Sequence, residues 1–177
     1  MMKKIITISL SLLLCFGIYA AKKPKVDLSF MSNQSKLNCN VDFSGISLNF
    51  KEEEGNDSFN DLQRERFTEW QKTLESDESF YLKRFYSGVR DELDPKKLAL
   101  GNFPEAEYSA LVTINSTTVK GDIDATIIFI NTLSKDTIYS FELYGDGGTF
   151  GSMMNLVGDG LRSLGEDFGE LLRKKSK

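Results

Sequence analysis

The spacing of apolar positions along this chain changes period three times. Leu37, Cys39, Val41 and Phe43 alternate with polar residues, which predicts a half-buried strand. At Ser44-Gly45 the phase flips, and Ile46, Leu48 and Phe50 continue on the other parity. A one-residue slip exchanges the two faces, so Gly45 marks a bulged or bent strand or, as the second reading, a tight hairpin. A charged loop from Glu52 to Asp57 follows. The period then lengthens to that of a helix. Phe59, Leu62, Phe67, Trp70 and Leu74 mark one helical face, with Asp57 or Ser58 as the cap. Ser76-Asp77 interrupts the pattern and is expected to cap a second helix, whose face carries Tyr81, Phe85, Val89 and Leu93. Asp94-Pro95 ends it, because the residue before a proline disfavours helix.

Residues 96–107 read as a connector containing Gly101 and Pro104. Alternation then returns in Tyr108 to Val119, Ile123 to Asn131 and Ile138 to Tyr144, separated by turns at Lys120-Gly121-Asp122 and Leu133 to Asp136. Short turns between consecutive strands predict an antiparallel meander. The run Ile127 to Ile130 is apolar on both parities, which predicts a central strand covered on both faces. After the glycine-rich turn Gly145 to Ser152, the residues Met154, Val157, Leu161, Leu164, Phe168 and Leu171 form one stripe of a long C-terminal helix. That helix carries Gly158, Gly160, Gly165 and Gly169, which cost roughly 4 kcal/mol of helix propensity relative to alanine. The expected return is close approach of the helix backbone to the sheet or to another copy of the chain. The fold class is therefore α+β, a mixed or antiparallel sheet of about four strands (strand, two helices, three-strand meander) with the C-terminal helix packed on it.

The N-terminus adds a compartment to this picture. Lys3 and Lys4 precede an apolar run from Ile5 to Ile18 that ends at Tyr19-Ala20-Ala21. The run is short for a membrane span and basic residues follow at once, so residues 1–20 read as a signal peptide, with a retained anchor as the alternative. Cys15 is preceded by Leu14 inside the apolar run, which disfavours lipidation. Residues 21–35 read as a flexible leader and 36–177 as a single domain. Export leads to the periplasm or the outer membrane as the place of action. No segment of the exported part reads as an integral membrane span.

The chain carries a net charge of −4, and removal of residues 1–20 takes away two lysines and no acid. An acidic domain argues against nucleic-acid binding. Past residue 20, Cys39 is the one cysteine, so no internal disulfide forms; its alternating position marks a buried small hydrophobe. There is no histidine. That removes the commonest general base, the usual metal ligand and every serine–histidine or cysteine–histidine arrangement. The acidic loop lacks EF-hand spacing. No cofactor or metal is expected, and an enzymatic role would need carboxylates alone, two of them facing each other across a cleft as in glycosidases.

The glycine turn is the candidate site. A strand, a glycine loop and a helix together resemble a phosphate cradle, but Phe150 stands where a third dinucleotide glycine belongs and the P-loop Lys-Ser/Thr pair is missing. Asp146 adds charge of the wrong sign. The glycines are then needed for positive φ in a sharp turn. Gly147, Gly148, Phe150 and Gly151, with Gly165 and Gly169 on the helix, are the expected ligand or interaction surface.

Gly147-Gly148-Thr149-Phe150-Gly151-Ser152, followed by Asn155-Leu156-Val157-Gly158-Asp159-Gly160, resembles the C-terminal signature of small exported Bacteroidetes proteins of unknown activity. Val41-Asp42-Phe43-Ser44 and Glu107-Tyr108 fit the same pattern. The element order is also distantly similar to periplasmic α/β domains of envelope lipoproteins, including that of the curli-secretion pore. The resemblance implies no known activity; the export signal, the missing catalytic constellation and the glycine-edged helix point to a non-enzymatic envelope protein, a binding or assembly module that associates with itself or with another envelope protein. A small-molecule or lipid-binding domain is the alternative.

Overall fold

The structure is a computed structural model and describes residues 26–175. The expected signal peptide lies outside the described residues. A six-stranded mixed sheet carries two long helices on one face. Its elements are β1 (Lys36–Asp42), β2 (Ser47–Leu48), α1 (Asp57–Glu92), β3 (Ala99–Gly101), β4 (Tyr108–Thr117), β5 (Ile123–Asn131), β6 (Thr137–Gly145) and α2 (Met153–Lys175). The strand order is β3-β1-β4-β5-β6, with β2 pairing with β4.

The meander β4-β5-β6 is antiparallel, as the short turns require. β1 and β3 are parallel to each other, and β1 is parallel to β4. This makes the sheet mixed and gives it six strands, two more than the alternation suggested. The additions are the shortest ones. β3 lies inside the presumed connector, and β2 resumes the path of β1 along β4 after the turn at Ser44-Gly45. Val41 sits opposite Val112 and Ser47 opposite Ser116, so six steps along β1–β2 match four along β4. That is the bent-strand reading of Gly45, not the hairpin.

The expected break at Ser76-Asp77 does not occur; α1 runs through it as one helix of 36 residues, about 54 Å long. Ser76 donates its hydroxyl to the Thr73 carbonyl at 2.8 Å, satisfying itself within the helix instead of capping a new one. The cap at the helix start is Asn56, which accepts from the Phe59 amide. The leader is a second correction over its described part. Leu28 and Met31 are fully buried around a short 3₁₀ turn (Ser29–Met31), and the Phe30 ring stands edge-on to Tyr108 and Phe129. Residues 26–35 therefore belong to the domain.

The two helices run parallel, since each follows one of two parallel strands, β1 and β6. The core lies between them and the sheet. Val112, Ile114, Ile123, Ile127 and Phe129 supply its floor, and Tyr81, Phe85, Leu161, Leu164 and Phe168 its roof. Phe168 bridges the layers, with ring centroids 6.1 Å from Phe85 and 6.2 Å from Phe129. Strand β5 is central, but the described elements cover only one of its faces: Ile127 and Phe129 are buried, whereas Ile128 and Ile130 on the other face are half-buried.

Candidate functional site

The glycines expected to mark an interaction surface are mostly spent inside the fold. A Cβ at Gly165 would overlap the Phe85 carbonyl, and one at Gly169 would lie 2.8 Å from the Val89 oxygen. Gly88 answers from α1, where a Cβ would overlap the Arg162 carbonyl. The close approach is thus real, but its partner is α1, neither the sheet nor another copy. Both Gly165 and Gly169 are buried in this seam. Ion pairs cross it at Arg84–Asp159, Arg162–Asp91 and Arg173–Glu92. The sheet is approached by different glycines: a Cβ at Gly160 would overlap the Gly121 carbonyl, and one at Gly145 the Gly160 carbonyl.

The turn is also committed to packing. Gly147 donates its amide to Asp122 Oδ1 at 2.9 Å, and a Cβ there would strike the Lys120–Asp122 backbone. A Cβ at Gly148 would lie 2.7 Å from Asp159 Oδ2. Gly151 holds φ at 139°, the positive value that the sharp turn demands. The amide at Gly147 that a phosphate would need already serves a carboxylate, and Ser152 provides the helix cap through its Oγ, 3.4 Å from the Asn155 amide. Of the expected surface Phe150, 89% exposed, and Gly151 beside it are open to solvent.

Open space lies instead along the flank of α1 that faces away from α2. Two clefts follow one stripe of the helix there. The first, of about 530 Å³, has an apolar base of Val41, Phe43 and Leu74 with Asp42, Glu75 and Glu78 at its rim. The second, of about 540 Å³, lies between α1 and the β1–β3 edge. Its floor is Val89, Leu93 and Leu98, all buried, with Leu82 and Leu100 half-buried at its sides. Lys83 and Arg90 stand exposed at its rim. Arg90 Nε donates to the Tyr86 carbonyl at 3.1 Å, which holds the guanidinium close to its own helix.

Two polar groups line the second cleft from inside. The Tyr86 hydroxyl donates to the Cys39 carbonyl at 2.7 Å and ties α1 to β1. Burial pushes the Cys39 thiol up to about 12, and burial with the neighbouring Cys39 raises Tyr86 as well. Both groups are therefore neutral at physiological pH, and the thiol is not a nucleophile. The lining holds no carboxylate and the chain no histidine. What this cleft offers is apolar contact plus two cations. Sequence reasoning missed it because its residues come from three elements spread over Cys39 to Asn102. The signal available in the sequence was Tyr86, an aromatic outside the main core stripe.

Among the described residues no helix is long and apolar enough to cross a membrane, and no cluster of histidine, cysteine or acidic side chains is arranged to hold a metal ion. No family model matches the chain, and no curated protein does. Among solved structures, protein XCC0632 from Xanthomonas campestris, described with the family-model DUF330, is similar over 80% of this chain and 84% of its own, at 8% identity and a TM-score of 0.41. A PelC dodecamer from Paraburkholderia phytofirmans is similar over 75% of this chain and 90% of its own, at 11% identity and a TM-score of 0.32. Likenesses this loose carry neither fold nor function, and none of these matches carries the resemblance to small exported Bacteroidetes proteins.

Proposed function

We propose that this chain is an exported, non-enzymatic binding module of the cell envelope, and that its ligand site is the cleft between α1 and the β1–β3 edge. The observation that carries the reading is the make-up of that cleft: about 540 Å³, an apolar floor, and Lys83 and Arg90 together on the rim of an otherwise acidic chain. The volume lies in the range of small-molecule sites, which combine an apolar lining with a few placed polar groups. A ligand that matches it has an apolar body and an acidic head. Proton transfer has no base in that lining, which favours binding over chemistry. The basic start and short apolar run at the N-terminus support export, to the periplasm or the outer-membrane surface.

Titration with oleate, followed by calorimetry or displacement of a fluorescent fatty acid, tests the reading. Saturable binding is expected, weakened about tenfold or more when Lys83 and Arg90 are both replaced by glutamate. Both side chains are exposed, so the fold survives the change. Absence of saturable binding, or binding indifferent to the charge reversal, sinks the proposal.

A further inference from the structure

The sheet has two ends, and they differ. β3 closes one end with three residues; β6 closes the other with nine. Natural edge strands are blunted by shortness, lysine, proline, bulges or a covering segment. β6 has neither lysine nor proline, and its single charge is Glu142. Its one register irregularity against β5 falls near its first residues. Among the described residues no strand pairs with its outer edge. Ile138 and Tyr144 are 42% and 46% exposed on the face away from the helices, and Tyr139 and Phe141 are half-buried on the other.

We propose that two copies of this chain join through β6, antiparallel about a two-fold axis perpendicular to the sheet and centred on Phe141. This register pairs all nine residues, Thr137 with Gly145 at the ends and Phe141 with its own counterpart in the middle. The two exposed apolar side chains, Ile138 and Tyr144, then face each other across the seam. Glu142 faces Ser140, so no like charges meet. Moving the register two residues one way sets Glu142 against Glu142, which is unfavourable. Moving it two residues the other way leaves the strand ends unpaired and places Tyr144 opposite Asp136. The strand is thus self-complementary in one register. The three-residue β3 edge cannot pair with a nine-residue partner, so the contact is isologous and closes at two copies instead of propagating. The clefts beside β3 lie at the outer ends of the joined sheet and stay open, so this inference stands independently of what they bind.

Light scattering on a sizing column reads the mass of the protein directly, with circular dichroism confirming that each variant is folded. The parent protein is expected as a dimer. Ile138→Lys combined with Tyr144→Lys sets lysine against lysine twice across the seam, and dissociation is expected to become about tenfold or more easier. Ile138→Glu combined with Tyr144→Lys sets opposite charges together in the same register and is expected to remain a dimer. A monomeric parent, a dimer unmoved by the paired lysines, or equal loss in both double variants overturns the proposal.

Discussion

Helix α1 meets two different neighbours along its second half. On one flank, from Phe80 to Glu92, it lies against α2 with glycines removing side chains from both surfaces, so that backbone approaches backbone. On the other it is held off β1 and β3 by leucines and a tyrosine, and a cleft of about 540 Å³ remains. The same helix is therefore clamped on one side and propped on the other. Clamping matters because it fixes where the propped side sits. With α1 locked to α2 and α2 locked to the sheet by Gly121, Gly145 and Gly160, the distance between α1 and β1 is set by elements that do not line the cleft. A cleft between α1 and β1 stays open only if the helix cannot settle onto the strand.

The largest effect that tests this contrast is Gly165→Leu. The first added carbon already meets the Phe85 carbonyl, and a main-chain atom cannot swing aside. A loss of about 3 kcal/mol or more is expected from overpacking, read as a fall in the denaturant midpoint. Gly165→Ala sharpens the point. At an exposed helical site the change would gain about 1 kcal/mol of helix propensity. Here it should destabilise, and a rise in midpoint would show that the helices have room to part.

The second effect is alkaline and belongs to the propped flank. The Cys39 thiol ionises near 9.0 in the unfolded chain and near 12 in the fold, because burial penalises the thiolate. A group whose folded value is raised stabilises fully below the unfolded value and loses that contribution as pH rises through the folded one. Stability should therefore fall from about pH 9 toward 12, at up to about 1.4 kcal/mol per unit. Tyr86 is raised too and adds in the same direction. In Cys39→Ala the fall should be shallower. An unchanged slope would mean that the thiol is reachable by water through the cleft.

How much of this was legible beforehand follows from the length of each signal. The meander and the C-terminal stripe were legible because nine or more residues keep one period, and the turns between the strands name themselves. The close approach of Gly165 and Gly169 was legible as a cost without visible return, but its partner was not, since Phe85 and Val89 of α1 each lie 80 residues away in sequence with no local trace. β3 and β2 are too short to show a period, so the connector concealed the sheet edge that makes the cleft. The cleft itself is a tertiary product. The break assigned to Ser76-Asp77 failed because a serine that caps in one setting hydrogen-bonds to its own helix in another.

The tie across the propped flank carries a smaller effect. Tyr86→Phe removes the hydroxyl that donates to the Cys39 carbonyl and leaves the ring in place. A loss of about 1 kcal/mol is expected, the usual net value of one such bond. If ligand affinity changes while stability does not, Tyr86 acts on the site and not on the fold.

The smallest effect lies where α1 has neither neighbour. The apolar stripe read from the sequence places Leu62 in the core, yet it is 51% exposed, and the buried positions beside it are Asn60 and Gln63. Asn60 explains the inversion. Its Oδ1 accepts from the Glu53 amide at 2.9 Å and its Nδ2 donates to the Glu53 carbonyl at 3.0 Å, so one amide side chain satisfies both main-chain groups of a loop residue. The helix there is oriented by a polar contact, and its hydrophobic periodicity is incidental. Leu62→Lys should leave stability within about 0.5 kcal/mol, as for an ordinary surface site. Asn60→Ala leaves the Glu53 amide without its partner, while the Glu53 carbonyl keeps the Asn56 amide, and should cost about 1 kcal/mol. If the leucine proved the costlier of the two in thermal denaturation, the first two turns of α1 would be packed against something apolar, as Phe67 and Trp70 further along already are, and the contrast between clamped and propped flanks would have to extend to the start of the helix.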